Sequence, residues 1–302
     1  MTDRTPAAPA PLRVGVVGVG YLGRFHARIY SSLPGVTLVG VADVDGARAQ
    51  QVAAEYGCAA YSDPMALLDK VEAVSIVTPT VYHAEVARPY LERGVHMLME
   101  KPIAPTLDEA TALVELAERC KVVFQVGHLE RFNTGIMELA ARVTAPRFIE
   151  VHRLGTFVDR ATDVDVVTDL MIHDIDIVLA LVGSPIKQIS AQGSPVLTEH
   201  IDIANARIEF TNGAVANVTA SRVSAKKLRR IRIFSREHYY GLDYIDQKLE
   251  IVRAVPDPDG GKWPKIVSET LAIEPRPPLD TELDYFVRAV RARSRPLVDG
   301  RV

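Results

Sequence analysis

Asp169 and His173 stand four residues apart in a stretch whose other residues are mostly apolar. A carboxylate at that spacing on a helix can hold the imidazole and raise its basicity. Such a base can take a hydroxyl proton while hydride leaves the same carbon, which is the chemistry of alcohol oxidation. At 100° per residue, Asp165, Asp169, His173 and Asp176 fall at about −40°, 0°, +40° and −20° around a helix expected over Val166 to Val182. Burying four ionisable groups without partners would be costly, so this face is expected to line water or a ligand. The competing readings are a solvated face, a satisfied buried His–Asp network, and a metal site on His173, Asp169 and Asp176. Lys101 is the second residue to weigh. It follows the strand-like Val95-His-Met-Leu-Met99 and precedes Pro102, which holds it at the end of a strand; a lysine capping the sheet edge is the alternative.

A third group of residues could hold a diphosphate. Leu12-Arg-Val-Gly-Val-Val17 reads as a buried parallel strand and runs into Gly18-Val-Gly20-Tyr21-Leu22-Gly23, which opens a helix. In that spacing Gly18 permits the tight turn, Gly20 lets backbone approach a pyrophosphate, and Gly23 lets the helix pack on the strand. The free N–H groups of the helix start then meet the diphosphate. The loop alone is a weak signal. Its context is complete here, because a second strand, Val36 to Ala42, ends in Asp43 at the expected distance. Asp43 can accept both ribose hydroxyls and would repel a 2′-phosphate, with Asp45 adding to the repulsion, so NAD is favoured over NADP.

The elements that must position these residues alternate. Helices are expected over Asp45 to Tyr56, Tyr82 to Arg93 and Thr106 to Arg119, the last behind a Thr106/Glu109 capping box, and Asp63-Pro64 reads as a helix entry. Strands over Ala73 to Val77, Val95 to Met99 and Val122 to Val126 complete a doubly wound parallel sheet, with Gly20, Asp43, Thr78, Lys101 and Gly127 at the ligand-bearing strand ends. From Arg147 the pattern becomes β, with one interposed helix, and a large antiparallel sheet is expected. It includes a hairpin at Asn212-Gly213, whose signal is that of a type I′ turn. One face of that sheet needs helices and the other a subunit. Lys226 to Arg232 holds five basic residues. They read either as a strand edge that resists aggregation or, with Arg230 and Arg232 on one face, as a grip for a substrate diphosphate. The domains are therefore expected at 12–126 for the dinucleotide and 127–302 for substrate and oligomerisation.

Composition bounds the rest. The 302 residues suffice for two domains, and 48% hydrophobic content supports real cores. A net charge of −3 gives no bulk argument for nucleic acid or membrane partners. Cys58 and Cys120 lack metal or disulfide spacing and fit a reducing cytosol, so a cytoplasmic location is expected. Met1 to Pro11 is a polar Ala/Pro tail without a signal-peptide core, and no apolar run reaches membrane-spanning length.

Together these motifs resemble the glucose–fructose oxidoreductase/inositol dehydrogenase/rhizopine-catabolism (Gfo/Idh/MocA) family from Leu12 to about Val298. The resemblance rests on the glycine loop, Thr78-Pro79 with His83, Glu100-Lys101-Pro102, Asp169-xxx-His173-xx-Asp176, and Pro278-Leu-xx-Glu282-Leu-xx-Phe286. It implies a Rossmann domain and a substrate domain of α+β class whose open, mostly antiparallel sheet pairs subunits into dimers or tetramers; no metal is expected. It further implies that Lys101 contacts the reacting hydroxyl, that His173 is the acid/base with Asp169 behind it, and that Thr78, Pro79, His83 and Glu100 border the cofactor. Members usually continue past a segment like Arg295 to Gly300 into one more helix, where this sequence stops at Val302. Val126 to Asn133 and the basic strand resemble the branch that oxidises the 3-hydroxyl of UDP-N-acetylglucosamine. That branch fits Arg131 and Asn133 at the sugar and the basic strand near the diphosphate, and Asp176 is expected at the substrate as well. An inositol or other sugar dehydrogenase, a biliverdin-reductase-like enzyme and a non-catalytic NAD-binding regulator are the rivals.

Overall fold

The computed structural model describes residues 10–158, 164–259 and 261–301. Most of the Ala/Pro tail, part of the polar stretch before the acid–base helix, Gly260 of the loop Pro256 to Pro264, and Val302 lie outside the described residues. The chain divides into two compact units, 1–128 with 279–301, and 129–278.

The first unit alternates as expected: β1 (Leu12–Val17), α1 (Tyr21–Ser32), β2 (Val36–Ala42), α2 (Gly46–Tyr56), β3 (Ala59–Tyr61), β4 (Ala73–Ile76), α3 (His83–Glu92), β5 (His96–Glu100), α4 (Leu107–Arg119) and β6 (Phe124–Gly127). All six strands are parallel, in the order β3-β2-β1-β4-β5-β6, so the order reverses between β1 and β4. That reversal opens a crevice at the strands' carboxyl ends, where such sheets bind ligands. β1 and β4 are almost wholly apolar because helices cover both faces of the sheet.

The second unit contains α5 (Thr134–Ala140), β7 (Phe148–Leu154), α6 (Ile172–Val182), β8 (Ile186–Ser194), β9 (Ile203–Phe210), β10 (Val215–Ser221), β11 (Leu228–Phe234), β12 (His238–Asp243), β13 (Lys248–Val255) and β14 (Lys265–Ala272). The eight strands pair in the order β14-β13-β12-β11-β7-β10-β9-β8, antiparallel except for β7 with β10. Alternation is clean in the middle of the sheet: Ile149, Val151, Ile208, Val218, Ile231 and Ile233 are buried with Ile136 and Leu139 of α5 and Ile177 and Val178 of α6.

Three expectations need correcting. The last helix, α7 (Pro278–Ala292), was assigned to the second domain, but it packs in the first unit. Its Leu283, Phe286, Val287 and Val290 share a core with Val14, Val16 and Ile29, which local periodicity cannot reveal. The β9–β10 hairpin forms, but not through a type I′ turn. Only Gly213 has positive φ (86°), whereas a type I′ turn needs both central residues there, and Asn212 Oδ1 instead accepts the Ala214 N–H at 3.0 Å. Finally, the helix expected over Val166 to Val182 is not uniform. Val167–Met171 forms a π-helical turn, marked by the Ile172 N–H bonding to the Val167 carbonyl, and α6 begins only after it.

Candidate active site

In the first unit the glycine loop follows the physics read from its spacing. Gly18 has φ of 83°, and a Cβ there would lie 2.6 Å from the Val77 carbonyl oxygen. A Cβ on Gly23 would lie 1.9 Å from the Gly18 carbonyl oxygen, so the helix can start this close to the strand only with glycine. Gly20 differs from both: no atom lies within 4 Å of where its Cβ would be. That open space at the start of α1, with no side chain capping the helix and no acid in its first turn, fits a dinucleotide's diphosphate.

Asp43 is buried at the mouth of the same crevice. Its Oδ2 accepts the Val19 N–H at 2.9 Å and its Oδ1 accepts the Asp45 N–H at 2.9 Å, so the carboxylate is fixed before any ligand arrives. Arg48 did not enter the sequence argument for NAD. The turn into α2 brings its guanidinium 3.4 Å from Asp43 and 3.1 Å from Asp45. Asp43, Arg48, Gly18, Gly20, Thr78 and Pro79 all line a cleft of 930 Å³. Tyr21 is exposed at the rim, and Leu22 is half-buried beside it. His83 is buried, with Nε2 at 2.8 Å from the Thr78 carbonyl and Nδ1 at 3.0 Å from that of Pro102. It joins the end of β4 to the segment after β5 rather than facing the cleft. Glu100 ends β5 and Lys101 follows, half-buried, ahead of a cis bond to Pro102.

In the second unit, Asp169 lies within the π turn and His173 in the first turn of α6, both half-buried. The 100° projection does not carry across a π turn, so the four-residue stripe is broken. Two of its members have structural partners. Asp165 Oδ1 accepts the Ile201 N–H at 2.9 Å, and the buried Asp176 is 3.1 Å from Arg131 Nη1. Burial pushes the Asp176 carboxyl up to about 6, with Arg131 pulling the other way. Asp165 and Asp176 are thus held by structural partners, which corrects the expectation that the whole face lines solvent or ligand. Asp174, between His173 and Asp176, escaped the sequence reading. It is buried and held two-pronged by Arg153 at 2.8 and 2.9 Å, and Arg153 also meets Glu130 at 2.9 Å. Burial works against the Arg153 charge, but Asp174 and Glu130 hold the guanidinium protonated. Two ion pairs therefore pin the helix that carries His173. The only signal in the sequence was that these partners sit on β7 and just after β6.

Asn133 is buried and caps α5, its Oδ1 accepting the Gly135 N–H at 2.9 Å and a Gln247 N–H at 3.1 Å. Arg230 and Arg232 do share a face, as read, but it is the wrong one for a grip near His173. With Ile231 and Ile233 packed under the helices, period-two alternation sends both arginines to the opposite side of the sheet. There Arg232 pairs with Glu150, and Arg230 reaches the Tyr239 hydroxyl at 3.5 Å. Arg229 takes the helix side, 3.4 Å from Glu130. Among the described residues no group of three His, Cys, Asp or Glu side chains is placed to hold a metal, and no helix is long and apolar enough to cross a membrane.

A parallel dinucleotide sheet with this loop, followed by a largely antiparallel sheet carrying an Asp-xxx-His helix, defines the class. The chain belongs to the Gfo/Idh/MocA oxidoreductases: residues 12–128 match the family's NAD-binding Rossmann fold and 135–239 its C-terminal domain. Its relatives are dehydrogenases. It is 40% identical to the UDP-N-acetylglucosamine 3-dehydrogenase of Acidithiobacillus ferrooxidans over 96% of this chain and 92% of that one. It is 33% identical to the scyllo-inositol 2-dehydrogenase (NAD(+)) of Bacillus subtilis, over 70% of this chain and 68% of the relative. A solved structure of the Acidithiobacillus enzyme superposes with a TM-score of 0.90 at 38% identity, covering 97% of this chain and 93% of that chain. An Agrobacterium radiobacter oxidoreductase in complex with NAD+, L-tartaric acid and magnesium shares the fold, with a TM-score of 0.84 at 18% identity, covering 97% and 92%.

Proposed function

We propose that this enzyme oxidises the 3-hydroxyl of UDP-N-acetylglucosamine to a ketone with NAD as acceptor. The observation that carries the proposal is 40% identity to an enzyme of that activity across 96% of the chain. NAD, when bound, accepts the hydride; the remaining work falls to side chains. Lys101 holds the reacting oxygen and stabilises its developing negative charge. His173 takes the hydroxyl proton, and Asp169 orients the imidazole and supports its positive charge. Asp43, buried and already fixed by two backbone N–H groups, receives the adenosine ribose and disfavours a 2′-phosphate. On the helix-free face of the eight-stranded sheet, the half-buried or exposed aromatic rings of Phe148, Phe234 and Tyr239 pack at a tilt, with centroids 6.1 Å apart for Phe148–Phe234 and 5.0 Å for Phe234–Tyr239. Such a face supports pairing of two copies in a homodimer or homotetramer. The free thiols Cys58 and Cys120 agree with a cytoplasmic setting.

The test is turnover of UDP-N-acetylglucosamine beside myo- and scyllo-inositol, by the parent protein and by His173→Ala, Lys101→Ala and Asp169→Asn. Each alanine variant is expected to lose about two to four orders of magnitude in turnover, since that is what general acid–base help supplies. Asp169→Asn should lose less and shift the pH profile. Near-normal turnover by His173→Ala would remove the base from this reading, and preferential oxidation of an inositol would replace the substrate.

A further inference from the structure

Behind the end of β5 lies a group of polar side chains that the chemistry above does not use. Glu282 of α7 is fully buried, and neither of its carboxyl oxygens has a hydrogen-bond partner. His26 of α1 is fully buried too, and neither ring nitrogen makes a hydrogen bond. Its Nε2 points at Glu100 Oε1 from 3.4 Å. The Glu100 carboxyl is 14% exposed and lies over Gly127 of β6, where a Cβ would sit 2.9 Å from its carboxyl carbon and from both oxygens. Glycine at the end of β6 thus makes room for this carboxyl. Gln125, one turn of the pleat earlier, donates its Nε2 to the Glu282 backbone carbonyl at 3.3 Å and leaves its Oε1 unpaired. Tyr30 is the other titratable group nearby, and its hydroxyl is taken by Ser75 at 2.9 Å.

Two neighbouring carboxyl groups cannot both be ionised in a space this dry. Of the pair, Glu282 has no exposure and no donor, whereas Glu100 retains a path to solvent and faces an imidazole. We infer that Glu282 is a positioning residue: it keeps its proton so that the pair's single negative charge stays on Glu100, held over Gly127 against His26, next to Lys101 in the chain. Burial first, and then repulsion by Glu100, push the Glu282 carboxyl well above its usual range, in agreement with this assignment. The consequence for the reaction rests on the proposed role of Lys101. When Glu282 does ionise at alkaline pH, two like charges repel, Glu100 shifts, and the residue following it moves out of register.

The location of the proton can be read without any reaction. Infrared spectra of protein labelled with 13C-glutamate should show a protonated buried carboxyl at neutral pH. Glu282→Gln should abolish that band and Glu100→Gln should keep it. No such band, or a band that survives Glu282→Gln, overturns the assignment. The positioning role has its own readout in kinetics. Gly127→Ala, whose Cβ would meet the Glu100 carboxyl first, should lower kcat about ten- to hundredfold with little change in sugar KM. Glu282→Gln, neutral at every pH, should shift the alkaline fall of kcat expected of the parent. An unchanged alkaline limb in Glu282→Gln overturns the positioning role. If the parent oxidises none of the sugars, the substrate reading fails instead, and the infrared result still decides where the proton resides.

Discussion

Asp176→Asn isolates the energetics of the helix that carries His173. The Asp176 side chain is 3% exposed, and its carboxyl is raised from 3.8 to about 6, burial outweighing the ion pair to Arg131. A raised acid binds its proton more tightly in the folded chain than in the unfolded one. Its stabilising contribution is therefore complete below 3.8 and is lost as pH rises through about 6. A gap of roughly two pKa units is worth about 3 kcal/mol at about 1.4 kcal/mol per unit. Asparagine does not titrate, so the stability difference between parent and variant should move by about that amount between about pH 4 and pH 7, the parent losing ground as pH rises. Any difference between asparagine and the protonated carboxyl beside Arg131 adds an offset that is constant over this range, because neither asparagine nor arginine titrates there. Hydrogen exchange of α6 peptides, corrected for intrinsic rates at each pH, measures the opening free energy of this segment. Parallel curves for the two proteins would refute the reasoning. They would show Asp176 to be an ordinary ionised carboxylate whose pairing with Arg131 balances its burial.

Three further outcomes are expected. Gly23→Ala should lower Tm and abolish NAD binding, because its Cβ meets backbone at 1.9 Å, whereas Gly20→Ala should keep Tm and weaken NAD binding in calorimetry, because its Cβ enters only open space. Asp43→Ser should erode the preference for NAD over NADP, since it removes the carboxylate and frees Arg48 for a 2′-phosphate; equal loss of both affinities would count against this. Asp202 is buried, which works against its charge, but the N–H groups of Thr198, Val196 and Leu197 together with Arg222 hold its carboxyl well below the usual range. Its contribution is present above about 3.8 and is lost as pH falls, so urea curves of Asp202→Asn should show a large deficit, about 3–5 kcal/mol for a broken buried pair, at neutral pH that narrows in acid.

The sequence by itself determined whatever depends on local steric and periodic rules. The glycine loop, Asp43 at the end of β2 and the alternation of the first unit are legible because each is set by contacts within a strand–turn–helix unit. The Asp-xxx-His helix was legible as an element, since apolar spacing and a glycine stop are local too. The tertiary structure alone decided what each charge does. Asp165 and Asp176 read as part of a face lining water or ligand, and the family resemblance put Asn133 at the sugar, yet the Ile201 N–H, Arg131 and the start of α5 engage them. Arg230 and Arg232 were correctly placed together, but the side of the sheet they occupy follows from the helices burying Ile231 and Ile233. The π turn at Val167–Met171 has no mark in composition, and it rotates the polar stripe that a uniform 100° step had drawn. Helix α7 and its Glu282 lie more than 150 residues beyond β6 in the chain, and only the fold sets that carboxyl beside Glu100. Partners brought together across the chain settle whether a polar side chain is spent on structure or left for chemistry, and periodicity holds no record of them.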